Sequence, residues 1–177
     1  MKRLFAAAVA LMLLAALPAF AADAPKPAEL KGHIAAAAPY GSGSLSKLFL
    51  HVYDSSLWTD AAPWSADKPY ALVIRYDMNF KVKELTDRSI SEMERSGKMT
   101  DAEKAQYRQD LSTRFHDVKP GDTITALYEP KKGGSFYYNG KIQGDVMDAT
   151  RAKRFLMIWL GPETSEPALR RQLLNLK

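Results

Sequence analysis

The stretch 135–162, SFYYNGKIQGDVMDATRAKRFLMIWLGP, constrains the fold of this chain most, because its periodicity changes from that of a strand to that of a helix. The aromatic run 136–138 is followed by Asn139-Gly140. This dipeptide is the strongest short-range signal for a two-residue type I′ hairpin turn. A short return segment to Gly144 then completes a predicted β-hairpin.

The second half of the stretch predicts a helix with one apolar face. The spacing i, i+3, i+4 and i+7 places four apolar residues together: Ala152, Phe155, Leu156 and Trp159. Asp148 is positioned to cap the first turn, and Gly161 followed by Pro162 ends the helix. A hairpin that leads into a helix with a bulky apolar face predicts a sheet that this face covers.

Strand patterns occur in three further segments, residues 45–58, 70–76 and 123–128. In segment 45–58 apolar residues occupy both faces, which predicts one interior strand with material packed on each side. The glycines of Gly41-Ser42-Gly43, just before it, are typical of a turn. In segment 70–76 one face carries Tyr70, Leu72, Ile74 and Tyr76, and the other carries Ala71, Val73 and Arg75.

Helical patterns separate and follow these strands. One begins near Val82, and a second follows the capping box Thr100-x-x-Glu103. A last helix, capped by Thr164 or Ser165, is predicted to turn three leucines inward: Leu169, Leu173 and Leu176. Hairpin-joined strands with grouped helices predict an α+β fold with an antiparallel sheet.

The first 21 residues have the features of a secretory signal peptide. Lys2 and Arg3 precede an apolar run over 4–17, and Ala19-Phe20-Ala21 supplies an Ala-x-Ala cleavage site. The alternative is an uncleaved anchor, but the run is shorter than the about 20 residues of a membrane span. We therefore predict three segments: a signal peptide over 1–21, a flexible lead over 22–40 that joins the domain near Leu30, and one domain over 41–177. The mature protein is expected in the periplasm, without stable membrane insertion.

Composition excludes several classes of function. Cleavage leaves 23 basic residues against 20 acidic ones and a net charge of +3, too small to indicate a nucleic-acid partner. The absence of cysteine excludes disulfides, thiolate chemistry and cysteine-based metal sites. The three histidines are too scattered to indicate a metal cluster, and His51, in mid-strand, fits a hydrogen-bonded wall residue. No phosphate loop, dinucleotide fingerprint or GxSxG motif occurs, so the sequence predicts no cofactor, no metal and no catalytic set.

Several segments resemble, in the same order, those of the bacterial chalcone isomerase-like proteins. They are SLWTDAAPW with KPYALVIRY, RSISEMERSG, VKPGDTITALYEP, FYYNGKIQGDV and RFLMIWLGPETSEPALRRQLL. The resemblance runs from about residue 41 to residue 176. It implies the chalcone isomerase fold, an open-faced antiparallel β-sheet with helices layered on one side and an apolar cleft between the two layers.

The resemblance also bears on catalysis. The plant isomerases of this fold use an arginine near the first long strand, a threonine within it and a tyrosine near a following helix. Plant relatives without isomerase activity bind fatty acids instead. In this chain residues 41–45 contain no arginine, the threonine position matches Tyr53, and the tyrosine position matches Lys81 or Val82. The resemblance therefore implies that the plant catalytic residues are absent.

Three functions follow from these observations. The first is non-catalytic binding of a small apolar, acyl or aromatic ligand, with Tyr53, Arg75, Tyr76 and Lys81 as the polar ligand-binding residues. The second is an isomerase or intramolecular lyase in which Tyr53 donates a proton and Arg75 or Lys81 stabilises an oxyanion. Arg75 is alternatively a rim residue paired with a nearby acid. The third is a protein-interaction module, which a large exposed apolar patch would favour.

Overall fold

A computed structural model, which describes residues 25–177, contains six strands and four α-helices in that range. The strands are β1 (Gly41–Lys47), β2 (Leu50–Thr59), β3 (Tyr70–Tyr76), β4 (Thr123–Glu129), β5 (Gly133–Tyr138) and β6 (Lys141–Met147). The helices are α1 (Val82–Met93), α2 (Asp101–Ser112), α3 (Ala149–Leu160) and α4 (Pro167–Leu174). The predicted signal peptide over 1–21 lies outside the described residues.

The strands form one antiparallel sheet whose spatial order is the chain order, from β1 at one edge to β6 at the other. Helix α3 packs on β4 and β5, and α4 packs on β1 and β2. Helix α1 packs on α2 and α3. This arrangement confirms the α+β fold with an antiparallel sheet and helices layered on one side. In the described part of the chain, no helix is both long enough and apolar enough to cross a bilayer.

The alternation of strand residues gives the sheet two buried faces. The helix-covered face contributes to the main core, which includes Leu57, Leu72, Ile74, Ile124 and Phe136. The opposite face carries a smaller core of Trp58, Ala71 and Leu127, which Leu30 and Ile34 cover. Leu30, near which the lead was expected to join the domain, is fully buried. The segment before β1 therefore covers part of the face that the helices leave open.

Several local predictions are confirmed. Asn139 and Gly140 have φ angles of 48° and 76°, as a type I′ turn requires. The Asp148 carboxylate accepts hydrogen bonds from backbone N–H groups in the first turn of α3. Thr100 and Glu103 form the predicted capping box of α2. Local side-chain chemistry thus determines where these elements begin.

The strand predicted over 45–58 is instead a hairpin. The chain turns at Leu48 and Phe49, and Lys47 pairs with Leu50. The predicted turn at residues 41–43 is also wrong, because these residues belong to β1. Gly41 packs so closely on α4 that a Cβ atom there would collide with backbone carbonyl groups of that helix. The glycines thus serve close packing, while the actual turn contains none of the usual turn residues.

Two predictions about α4 are also wrong. The helix begins at Pro167, and neither Thr164 nor Ser165 caps it. The Thr164 hydroxyl instead accepts the backbone N–H of Glu166, the residue that precedes the helix. Leu169 and Leu173 are buried as predicted, but Leu176 is exposed because the chain leaves the helix at Asn175 in a left-handed conformation.

Candidate functional site

A cavity of about 630 Å³ lies between α1 and the sheet, beside α3. Leu72, Ile74 and Ala126 line it from the helix-covered face of the sheet. Leu85 of α1 and Phe155 of α3 line it from the helical layer. Most lining side chains are aliphatic or aromatic, and the volume falls within the roughly 300–1,000 Å³ of small-molecule sites. The cavity is therefore the first candidate for a ligand site.

A β-bulge in β2 turns two consecutive side chains toward this cavity. Leu45 pairs with Tyr53, but the next residue, Ser46, pairs with His51, so Val52 is the extra residue. Regular alternation would place Val52 and Tyr53 on opposite faces, yet both line the cavity. The bulge thus gives β2 a larger share of the lining than a regular strand would have.

Two phenols, Tyr53 of β2 and Tyr76 of β3, bring polar atoms to this apolar lining. They pair directly across the two strands, with ring centroids 6.0 Å apart in an edge-to-face arrangement. The indole N–H of Trp159 donates to the Tyr53 hydroxyl oxygen at 2.9 Å. Because an indole can only donate, that bond does not use the Tyr53 proton. The Tyr76 side chain is buried, with 7% of its surface exposed.

Burial raises the pKa of both phenols. Desolvation raises the pKa of Tyr53 from 10.0 to about 12, and it raises the pKa of Tyr76 further above the ordinary value. At neutral pH each phenol is therefore a hydrogen-bond donor. A phenol with so high a pKa is a poor general acid, and its phenolate is scarcely populated as a base. The pair suits recognition of an acceptor oxygen better than proton transfer.

The charged residues on the lining are already engaged. Lys47, at the end of β1, pairs with Glu166 just before α4, and Arg88 pairs with Glu92 within α1. The Glu84 carboxylate accepts a backbone N–H at the start of α1 at 2.7 Å. These three carboxylates outnumber the two cations on the lining. The cavity therefore offers an anionic ligand no excess of positive charge.

Arg75 is one of the predicted ligand-binding residues that do not line the cavity. It projects from the other face of the sheet. It alternates with Tyr76 along β3 and does not line the cavity. Its guanidinium donates to the Asp54 carboxylate at 2.9 Å, across the β2–β3 pair. The alternative interpretation, an arginine paired with a nearby acid, agrees with this geometry. The expectation that Arg75 faces the cleft is corrected.

Lys81 also lies away from the cavity. It immediately precedes α1, and its largely exposed side chain donates to the Asp117 carboxylate at 2.8 Å. That hydrogen bond raises the pKa of Lys81. The expectation that Lys81 faces the cleft is corrected as well. Of the four predicted ligand-binding residues, the structure brings only Tyr53 and Tyr76 together on the cavity.

A polar cluster occupies the sheet face opposite the cavity. The Nε2 atom of His51 lies 3.0 Å from carboxylate oxygens of both Asp54 and Asp77. Among the described residues, this is the one group that could offer a metal ion three ligand atoms close together. Arg75 already pairs with Asp54, so the cluster is a polar network on the sheet surface that includes an ion pair.

A second depression, of about 710 Å³, lies between α1 and α2. Charged side chains line it, among them Lys83, Asp87 and Arg108. Asp87 pairs with both of these cations. This depression is a groove of solvated ion pairs, and the apolar cavity is the stronger candidate site.

Sequence patterns missed how the polar atoms of the cavity are connected. Trp159 was interpreted as part of a helix face that covers the sheet, yet its N–H reaches Tyr53 across 106 residues of chain. The Lys47–Glu166 pair is also non-local. The one available signal was the i, i+4 spacing of Phe155 and Trp159, which indicates a common face but not a cavity beneath it.

Comparison with known proteins agrees with this architecture. The sequence matches the family described as chalcone isomerase-like over residues 39–175. The chain belongs to the chalcone isomerase-like family. The resemblance found in the sequence is thereby confirmed, over nearly the same residues.

Two known proteins show the degree of sequence and structural similarity. An uncharacterized protein of Haemophilus influenzae is 25% identical over 138 residues, which cover 77% of this chain and 67% of the relative. Among solved structures, a fatty-acid binding protein of Arabidopsis thaliana aligns with a TM-score of 0.59 and 14% identity. That alignment covers 78% of this chain and 86% of the plant protein. At this identity the likeness concerns the fold alone, and it confirms the chalcone isomerase-like fold.

Proposed function

We propose that this protein binds a small apolar or amphipathic ligand in the cavity between α1 and the sheet, without catalysing a reaction. The observation that carries the proposal is the apolar cavity of about 630 Å³. Protein interiors are otherwise close-packed, with few voids larger than a water molecule. A cavity of this size and lining suits an acyl chain or a small aromatic molecule.

The two phenols suggest the polar part of the ligand. Tyr53 and Tyr76 each have a proton to donate into an otherwise apolar lining, so an acceptor oxygen of a carboxyl, ester or ketone group would be oriented there. The excess of carboxylates over cations favours a neutral ligand, or one whose acidic group stays at the opening. The fatty-acid binding of the Arabidopsis neighbour is consistent with an acyl ligand.

The isomerase hypothesis receives less support. It requires Tyr53 as the proton donor and Arg75 or Lys81 as the cation that stabilises an oxyanion. The raised pKa of Tyr53 makes it a poor acid. Neither cation lines the cavity. A binding function uses the phenols as they are, whereas the isomerase would need groups that lie elsewhere.

Tyr76→Phe tests the polar contact. The variant keeps the ring and loses one donor, so we expect the affinity for a fatty acid or its methyl ester to fall roughly 2- to 10-fold, as for one hydrogen bond of about 0.5–1.5 kcal/mol. Affinity for the hydrocarbon of the same chain length should stay unchanged. Titration calorimetry with the two ligand types measures both effects. Tyr137→Phe is the matched control, because Tyr137 of β5 lies on the sheet face opposite the cavity.

Native mass spectrometry tests the cavity itself. Protein purified without detergent should carry a species of lipid or small aromatic mass that solvent extraction releases. An empty protein that also fails to bind fatty acids, hydrocarbons and aromatic ketones would contradict the proposed function. If Tyr76→Phe binds every ligand as tightly as the wild type does, only the role of the phenol is contradicted.

We also propose that the protein works in the periplasm after removal of residues 1–21. The support is the charged start, apolar run and Ala-x-Ala site of that segment. Intact-mass analysis of the periplasmic fraction should give a chain that begins at Ala22. Recovery of only full-length chain, in the membrane fraction, would argue for the alternative of an uncleaved anchor.

A further inference from the structure

The tip of the β1–β2 hairpin exposes three consecutive apolar side chains. Leu48, Phe49 and Leu50 are 90%, 105% and 58% exposed. Single apolar residues on a surface are ordinary, whereas a contiguous apolar patch marks an interaction site. We call these three residues the hairpin tip.

The turn conformation does not account for these residues. Leu48 and Phe49 have φ angles of 48° and 69°, a region that bulky side chains rarely adopt. The β5–β6 hairpin of the same chain places Asn139 and Gly140 at the corresponding positive-φ positions. Leucine and phenylalanine are poor choices for this backbone, so their side chains at the hairpin tip need another explanation.

The hairpin tip is continuous with the cavity. Leu48 and Leu50 belong to the cavity lining, together with Lys47 and Val52. Because Leu48 is also almost fully exposed, the cavity reaches the surface beside the tip. An apolar ligand that enters or leaves at this point passes directly over exposed apolar side chains.

We propose that the hairpin tip inserts into the surface of a lipid bilayer and that apolar ligand passes there between the bilayer and the cavity. The transfer step rests on the proposed function, whereas the docking does not. Leucine and phenylalanine on a projecting tip suit the boundary between headgroups and acyl chains. A bilayer accepts a convex apolar tip without a complementary surface.

The small area of the tip argues against a protein occupant. A stable protein interface buries roughly 800 Å² on each partner. A single aromatic side chain buries about 150–250 Å², so three side chains fall short of that area. A second copy of this chain faces the same limit.

The cations on the cavity lining indicate which force drives docking. Lys47 pairs with Glu166, and Arg88 pairs with Glu92. These cations are already matched by carboxylates, so apolar insertion rather than attraction to anionic lipids should dominate. Docking is therefore expected to persist at salt concentrations that screen surface charges.

Vesicle flotation tests the docking. The wild-type protein should float with phosphatidylcholine vesicles and with vesicles that contain one-quarter phosphatidylglycerol, at low and high salt. The double substitution Leu48→Asn with Phe49→Gly installs the turn sequence of the β5–β6 hairpin, so the hairpin should stay folded. It should lower the vesicle partition coefficient at least about tenfold, because two large apolar side chains are removed. Ile142→Asn, at an exposed apolar position of β6, is the control and should float like the wild type.

Ligand transfer separates this inference from the proposed function. Phe49 does not line the cavity, so the single variant Phe49→Gly should bind fatty acid from solution with wild-type affinity but take it from labelled vesicles more slowly. Failure of the wild type to float, or equal flotation of the double variant, would overturn the docking even if fatty acid binds. If light scattering shows a dimer that the double substitution abolishes, the tip binds a second copy of the chain. That result would also overturn the docking to a bilayer. Flotation that depends on the tip, without uptake of any ligand, would support the docking and count against the proposed function.

Discussion

Ala126→Phe is expected to abolish ligand binding while the protein stays folded. Ala126 is buried in β4, pairs with Leu72 and Phe136 on the neighbouring strands, and lines the cavity. A phenylalanine at this position projects into empty volume, so most of the usual overpacking cost of about 1–3 kcal/mol should be avoided. The lost space should weaken binding at least about 100-fold, which corresponds to about 2.7 kcal/mol.

The matched control for this substitution enlarges a side chain on the other face of the sheet. Val73→Phe lies on β3, and Val73 packs on the smaller core rather than on the cavity. Calorimetric titration with a fatty acid should give wild-type affinity for Val73→Phe and no measurable binding for Ala126→Phe. Thermal unfolding shows whether each variant is folded. If folded Ala126→Phe binds as tightly as the wild type, the cavity is not the ligand site.

The predictable part of the fold rests on local chemistry. Asn139-Gly140 predicts the turn that it forms, and Asp148 predicts the start of α3. Both signals depend on interactions within a few residues of the chain. The β1–β2 hairpin was missed for the opposite reason. Leu48 and Phe49 have the composition of a buried strand and lie exposed at a turn. Patterns of hydrophobicity assume that apolar residues are buried, so they fail where a protein keeps such residues at its surface.

The candidate site was less predictable than the fold. Strand alternation places Arg75 and Tyr76 on opposite faces of β3, so the two could not both face one cleft. The bulge that turns Val52 toward the cavity interrupts the same alternation, and no residue type in β2 marks it. The hydrogen bond from Trp159 to Tyr53 joins distant parts of the chain. A cavity is a property of how the layers pack, which a sequence pattern does not record.

Leu30→Ala is expected to destabilise the protein strongly, although Leu30 lies in the segment predicted to be a flexible lead. Its side chain is fully buried against Trp58, Ala71 and Leu127. Neighbouring contacts hold the segment in place, since the Thr125 hydroxyl donates to Glu29 at 2.6 Å. Truncation of a buried leucine typically costs about 2–5 kcal/mol, because it leaves a cavity behind. For a domain of this size each kcal/mol lowers the Tm by about 2–4 °C.

Thermal and urea unfolding of the mature chain measure this effect, with Lys31→Ala as the control. Lys31 is the next residue, and its side chain is exposed, so its removal should leave the Tm nearly unchanged. Leu30→Ala also tests on which face of the sheet the ligand binds. Because Leu30 packs on the face opposite the cavity, fatty-acid affinity below the unfolding temperature should be retained. An unchanged Tm in Leu30→Ala would mean that residues before β1 add nothing to the cooperative fold, and the domain would then begin near residue 41.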